Sequence, residues 1–96
     1  MITLDEIKFR LGDKKDELQK KYYIMRFGIF GSFSRHEATE ESDIDILVEF
    51  DHSIGLEFVS LADELEEILN RKVDLVSANA VKQRMMKQIQ DELVYV

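Results

Sequence analysis

Residues 43–50, Asp-Ile-Asp-Ile-Leu-Val-Glu-Phe, alternate from one residue to the next. A strand turns successive side chains to opposite faces, so Ile44, Ile46, Val48 and Phe50 point one way and Asp43, Asp45, Leu47 and Glu49 the other. The apolar face requires a cover. The other face carries two aspartates spaced i, i+2, with Cα atoms about 6 to 7 Å apart in an extended chain. A two-faced strand of this kind belongs in a layered fold, with helices packed on a sheet.

The flanking sequence supplies those helices. Thr3 and Glu6 form a candidate capping box, and Leu4, Ile7, Leu11, Leu18 and Tyr22 follow on one helical face. Gly12 weakens that helix by about 1 kcal/mol relative to alanine without ending it. Residues 23–30 turn β-branched and aromatic and read as a buried strand closed by Gly31. Gly28 inside it marks either a close approach by another backbone or a ligand, or a tolerated packing choice. Residues 34–42 are polar, a short helix or a loop, and residues 51–55 carry turn chemistry.

Residues 56–69 repeat apolar side chains at three and four and predict a second helix, with Asn70 as its C-cap. Val73-Asp74-Leu75-Val76 is a third strand. Ser77 or Asn79 is placed to cap a last helix that packs Val81, Met85, Ile89 and Leu93, with Met85 and Met86 read as core. Residues 93–96 either fray or add a short strand. The expected class is α+β (α/β), a small mixed sheet of at least three strands packed with about four helices.

The chain of 96 residues is expected to form one domain, 1–96, with no room for a second, substrate-binding one. It has no cysteine, so neither a disulfide framework nor a cysteine zinc site is expected. Acids near the N-terminus argue against a signal peptide, and no apolar run approaches the ~20 residues of a membrane helix. A soluble, cytoplasmic protein is expected. The net charge of −7 argues against general nucleic-acid binding, which needs surplus Lys and Arg.

The chemistry concentrates around two motifs. Gly31-Ser32 follows a strand, where backbone N–H groups and a helix N-terminus can receive phosphate; glycine permits close approach and the Ser32 hydroxyl adds a donor. Arg35, one turn on, can reach a terminal phosphate. Across ten intervening residues from Ser32 come Asp43 and then Asp45, whose converging carboxylates repel each other and call for a cation; all-oxygen ligation suits Mg²⁺ or Mn²⁺. Asp74, alone between apolar neighbours, is the candidate third carboxylate and a candidate proton acceptor. Glu37, Glu40, Glu41, Asp43 and Asp45 would repel a bare triphosphate, so the metal must come first or with the nucleotide.

Each piece also has a plain structural reading. Gly-Ser is a common tight turn, the two aspartates could simply be exposed, and Asp74 could pair with Lys72 or Arg71. His36 and His52 have no second ligand at metal spacing and read as surface residues. The ordered combination points to a nucleoside triphosphate.

Gly31-Ser32-Phe33-Ser34-Arg35, then residues 42–48, then residues 73–76 resemble the DNA polymerase β-type nucleotidyltransferase superfamily. Given the chain length, the resemblance is greatest to the minimal nucleotidyltransferases, the MNT family, which are often paired with HEPN-domain toxins. It extends from about residue 23 to residue 89. The resemblance implies the nucleotidyltransferase fold, two Mg²⁺ ions held by Asp43, Asp45 and Asp74, and the β- and γ-phosphates of ATP gripped by Gly31 and Ser32. It further implies an antitoxin that adenylylates a tyrosine of a HEPN toxin and can form a hetero-oligomer with it. Transfer to a small molecule or RNA end, and masking of a partner without catalysis, are the alternatives. His36 departs from the glycine that many relatives carry after the arginine.

Overall fold

A computed structural model describes residues 1–96. Helix α1 (Leu4–Tyr22) starts at Thr3, whose hydroxyl accepts the Glu6 N–H at 3.2 Å. The capping box is half formed, because the Glu6 carboxylate turns to Arg10 at 3.1 Å. Ile7, Leu11, Leu18 and Tyr22 make its buried stripe, and Tyr23 ends it in a left-handed conformation. Open space surrounds Gly12, which stays within the helix.

Strand β1 (Ile24–Phe30) pairs antiparallel with β2 (Ile44–Phe50), and β2 pairs parallel with β3 (Val73–Ser77). Helix α2 (Glu57–Leu69) is the crossover between β2 and β3, closed by Asn70 at φ 51°. A single 3₁₀ turn, Ala78–Ala80, leads to α3 (Gln83–Glu92). The chain closes with β4 (Val94–Tyr95), antiparallel to β1, so residues 93–96 do add a strand. The sheet order is β3-β2-β1-β4. Three α-helices and a mixed four-stranded sheet match the expected α+β class.

Ile44, Ile46, Val48 and Phe50 are buried in the main core with the α1 stripe and Leu61, Leu65 and Leu69 of α2. Burying a side chain of this size stabilises by about 1.5 to 3 kcal/mol. The opposite face of β2 is only partly covered: Leu47 and Ile89 of α3 are buried outside that core. Gly28 is explained by backbone. A Cβ there would stand 2.8 Å from the Val94 carbonyl oxygen and 3.1 Å from the Tyr95 Cα, so its absence lets β4 close on β1.

Of the two readings of residues 34–42, the loop is the one observed: they form turns and loop without a helix. Two local expectations are corrected. Neither Ser77 nor Asn79 caps α3, whose N-cap is Lys82 without a side-chain bond, because the 3₁₀ turn displaces the helix start. Met85 is 57% exposed rather than core, since α3 reaches the sheet chiefly through Ile89.

Candidate active site

The three aspartates come from two neighbouring strands. In the parallel β2–β3 ladder Ile44 lies beside Val73 and Asp45 beside Asp74. Because side chains alternate in step along paired strands, burying Ile44 and Val73 sends both carboxylates to the other face of the sheet. Asp43 precedes the first β2 residue and is exposed.

Two like charges on adjacent strands cost free energy, and Asp45 registers it. Its pKa is pushed up to about 6, first by burial, then by the Asp74 charge and hydrogen bond, then by Asp43; the Arg35 charge opposes the rise. Asp74 itself is exposed, because β3 is an edge strand. Arg71 does not pair with it. The Arg71 guanidinium donates to the carbonyls of Ser42 (2.9 Å), Thr39 and Glu40 (both 2.7 Å) and lies over the Phe33 ring at 5.2 Å. It thereby ties the loop that delivers Asp43 to the end of α2.

As the side chains stand, no three acidic or imidazole groups gather into a cage for an ion. Two carboxylates side by side on an open face suit, by their all-oxygen chemistry, a Mg²⁺ ion that keeps several waters. The largest cavity, about 560 Å³, is lined by Phe50, Phe58 and Leu75 among others and by none of these aspartates.

Gly31 adopts φ +76°, a region that favours glycine, and a Cβ there would collide with the Asp45 carboxylate. Its bareness thus seats Asp45 against the turn. Residues 31–36 turn without becoming a helix, so the expected helix dipole is absent. The carbonyls of Gly31 and Ser32 accept the N–H groups of Arg35 (3.2 Å) and Glu37 (2.8 Å). The amides of Ser32, Phe33 and Ser34 donate to no backbone carbonyl, and successive N–H groups in a turn suit an anion. His36, at φ 59°, holds the left-handed conformation that glycine adopts more cheaply.

The Gly31 amide and Arg35 share a partner that the sequence reading missed. Glu92, the last residue of α3, accepts the Gly31 N–H at 2.9 Å and an Arg35 Nη1–H at 2.8 Å. Arg35 Nε donates to Glu37 at 3.0 Å. The Arg35 hydrogen bond holds the Glu92 carboxyl below its usual range. Nothing local in the sequence marks Glu92. Arg71 had a weak signal as a cation next to a strand aspartate, but its true partners are carbonyls.

The family model for "Polymerase beta, Nucleotidyltransferase" matches residues 14–96, which include every one of these groups. The chain belongs to the polymerase β nucleotidyltransferase family. Among nucleotidyltransferase relatives, "Protein adenylyltransferase MntA" of Thermococcus cleftensis is 41% identical over 97 residues, covering 100% of this chain and 98% of its own. A solved minimal nucleotidyltransferase superposes with TM-score 0.83 at 31% identity, over 97% of this chain and 95% of that one. A chain from the complex of a tri-AMPylated Shewanella oneidensis HEPN toxin with an MNT antitoxin superposes with TM-score 0.68 at 22% identity. That match, over 93% of this chain and 70% of the other, shows the shared fold.

Proposed function

We propose that this nucleotidyltransferase is a Mg²⁺-dependent protein adenylyltransferase that moves AMP from ATP to a tyrosine hydroxyl of a cognate HEPN toxin, silencing it as an antitoxin. The observation that carries the reading is the in-register Asp45 and Asp74 pair, set against the Gly31 turn with Arg35 within electrostatic reach. The nearly full-length relative named as a protein adenylyltransferase supports the reaction, and the AMPylated HEPN complex of the same fold supports the acceptor.

In this reading Asp43, Asp45 and Asp74 hold Mg²⁺, which when bound offsets charge on the attacking and leaving oxygens. The Ser32 hydroxyl and the amides of the turn receive the β- and γ-phosphates, and Arg35 neutralises part of their charge. The tyrosine oxygen forms a bond to the α-phosphorus as the bond from that phosphorus to the bridging oxygen of the β-phosphate breaks. Pyrophosphate leaves and the phenolic proton passes to Asp74. Since the aspartates lie on an open face rather than in the largest cavity, the acceptor protein supplies the missing wall.

The test incubates the protein with ATP, Mg²⁺ and the HEPN protein encoded beside it, and reads the mass of that partner. One or more AMP additions are expected, abolished by Asp43→Asn while the two proteins still bind. If Asp43→Asn neutralises the toxin fully and leaves it unlabelled, masking by binding replaces the catalytic reading.

A further inference from the structure

Glu92 links the two parts of the expected phosphate grip although it lies far from both in sequence. One carboxylate oxygen takes the Gly31 amide and the other takes Arg35 Nη1. Its own place is set by the sheet: two residues on, Val94 pairs with Ile29, and Tyr95 pairs with Gly28, whose missing Cβ admits that strand. The Glu92 side chain is only 20% exposed. Arg35 is thus held from two sides, at Nη1 by Glu92 and at Nε by Glu37. A guanidinium has five N–H donors in a rigid fork, so fixing two of its nitrogens orients the third.

We propose that Glu92 is a positioning residue for the triphosphate: it fixes the plane of Arg35, so that the guanidinium meets the phosphates without reordering. The inference rests on the nucleotide reading above. A long arginine side chain left free would lose rotamer entropy on each binding event, and the strut removes that loss in advance. Glu92 touches no reacting atom in this account. It acts through Arg35.

The test measures equilibrium binding of a non-hydrolysable ATP analogue, and separately of inorganic tripolyphosphate, by calorimetry with Mg²⁺ present. Wild type, Glu92→Gln, Glu92→Ala, Arg35→Ala and the Glu92→Ala, Arg35→Ala double variant are compared, with circular dichroism confirming the fold of each. Glu92→Ala is expected to weaken both ligands about tenfold, as loss of a charge-assisted contact would. Glu92→Gln, which keeps one acceptor, falls between. In the Arg35→Ala background, Glu92→Ala should change affinity by less than about twofold, because residues acting through one another are not additive. The transfer reaction should show the same change in KM with little change in kcat.

Tighter binding by either Glu92 variant would overturn the proposal, since the carboxylate would then compete with phosphate for the same donors. Equal losses with and without Arg35 would overturn it too, leaving Glu92 a general support of the fold. If Glu92→Ala unfolds, the Gln variant decides: wild-type affinity in that isostere counts against the proposal. If wild type binds neither ligand, the nucleotide reading itself fails and the inference falls with it. Wild-type binding with unchanged affinity in the variants rejects only the role of Glu92.

Discussion

The two faces of β2 are built on opposite terms. On one, Ile44, Ile46, Val48 and Phe50 are buried against α1 and α2. On the other, Asp45 stands half-buried beside Asp74, with a pKa raised to about 6, and Leu47 is the one β2 side chain buried there. The same alternating octet therefore supplies stability on one side and a repulsive array of carboxylates on the other. The difference teaches that the site is held in place by the opposite face, since the carboxylates do not stabilise their own arrangement.

The largest effect should come from breaking the supporting face. Ile46→Ala is expected to cost about 2 to 5 kcal/mol in urea denaturation, as truncation of a fully buried isoleucine does. Its AMP-transfer activity should fall only in proportion to the unfolded fraction. A loss of activity with the fold intact would mean that the two faces are not separable.

Next comes the junction of the faces. Gly31→Ala should destabilise by about 2 kcal/mol or more, adding left-handed strain to the collision with Asp45. Pairing it with Asp45→Gly, which empties the colliding position, should recover part of that loss in the same denaturation assay, isolating the collision from the strain.

Asp45→Asn sharpens the comparison in the opposite direction. Asp45 binds its proton more tightly folded (about 6) than at its ordinary 3.8, so the folded state gains relative stability at acid pH and loses it as pH rises through about 6. Without divalent cations, Asp45→Asn should therefore be more stable than wild type at pH 7.5, by about 1 kcal/mol after allowance for solvent screening. The gain should vanish near pH 4. Urea titrations with chelator at both pH values check this, and an unchanged stability at pH 7.5 would remove the claim that the charge of Asp45, through burial and its acidic neighbours, works against the fold. The same variant should lose AMP transfer.

The smallest effect is expected at His36. Replacing it with glycine relieves a left-handed backbone, and thermal unfolding should report a gain of up to about 1 kcal/mol. A loss instead would mean that the imidazole makes a contribution larger than the backbone strain.

The placement of the candidate site residues was legible where they belong to periodic segments. Asp43 and Asp45 were readable from alternation, and Asp74 from its place in a short apolar strand, because a strand's two-residue period determines which side chains share a face. Less was legible in the turn after β1. Gly31 was read as making room for phosphate, but its missing Cβ makes room for Asp45, a contact that depends on pairing across strands. The helix expected after Ser32 gave way to a turn whose amides remain available. Arg71 and Glu92 had no periodic signature at all. Each works through single long-range hydrogen bonds, to residues 29 to 32 positions away for Arg71 and 57 to 61 for Glu92.

Local pattern alone determined the layered class, the helices α1 and α2, the three longer strands and the aspartates they carry, because periodicity and capping act within a few residues. The tertiary structure decided the register that sets Asp45 beside Asp74, the two-residue strand that closes on Gly28, and the bridge from Glu92 to Gly31 and Arg35. These are pairings between distant segments, chosen by the packing of the whole sheet, and no short-range preference encodes them.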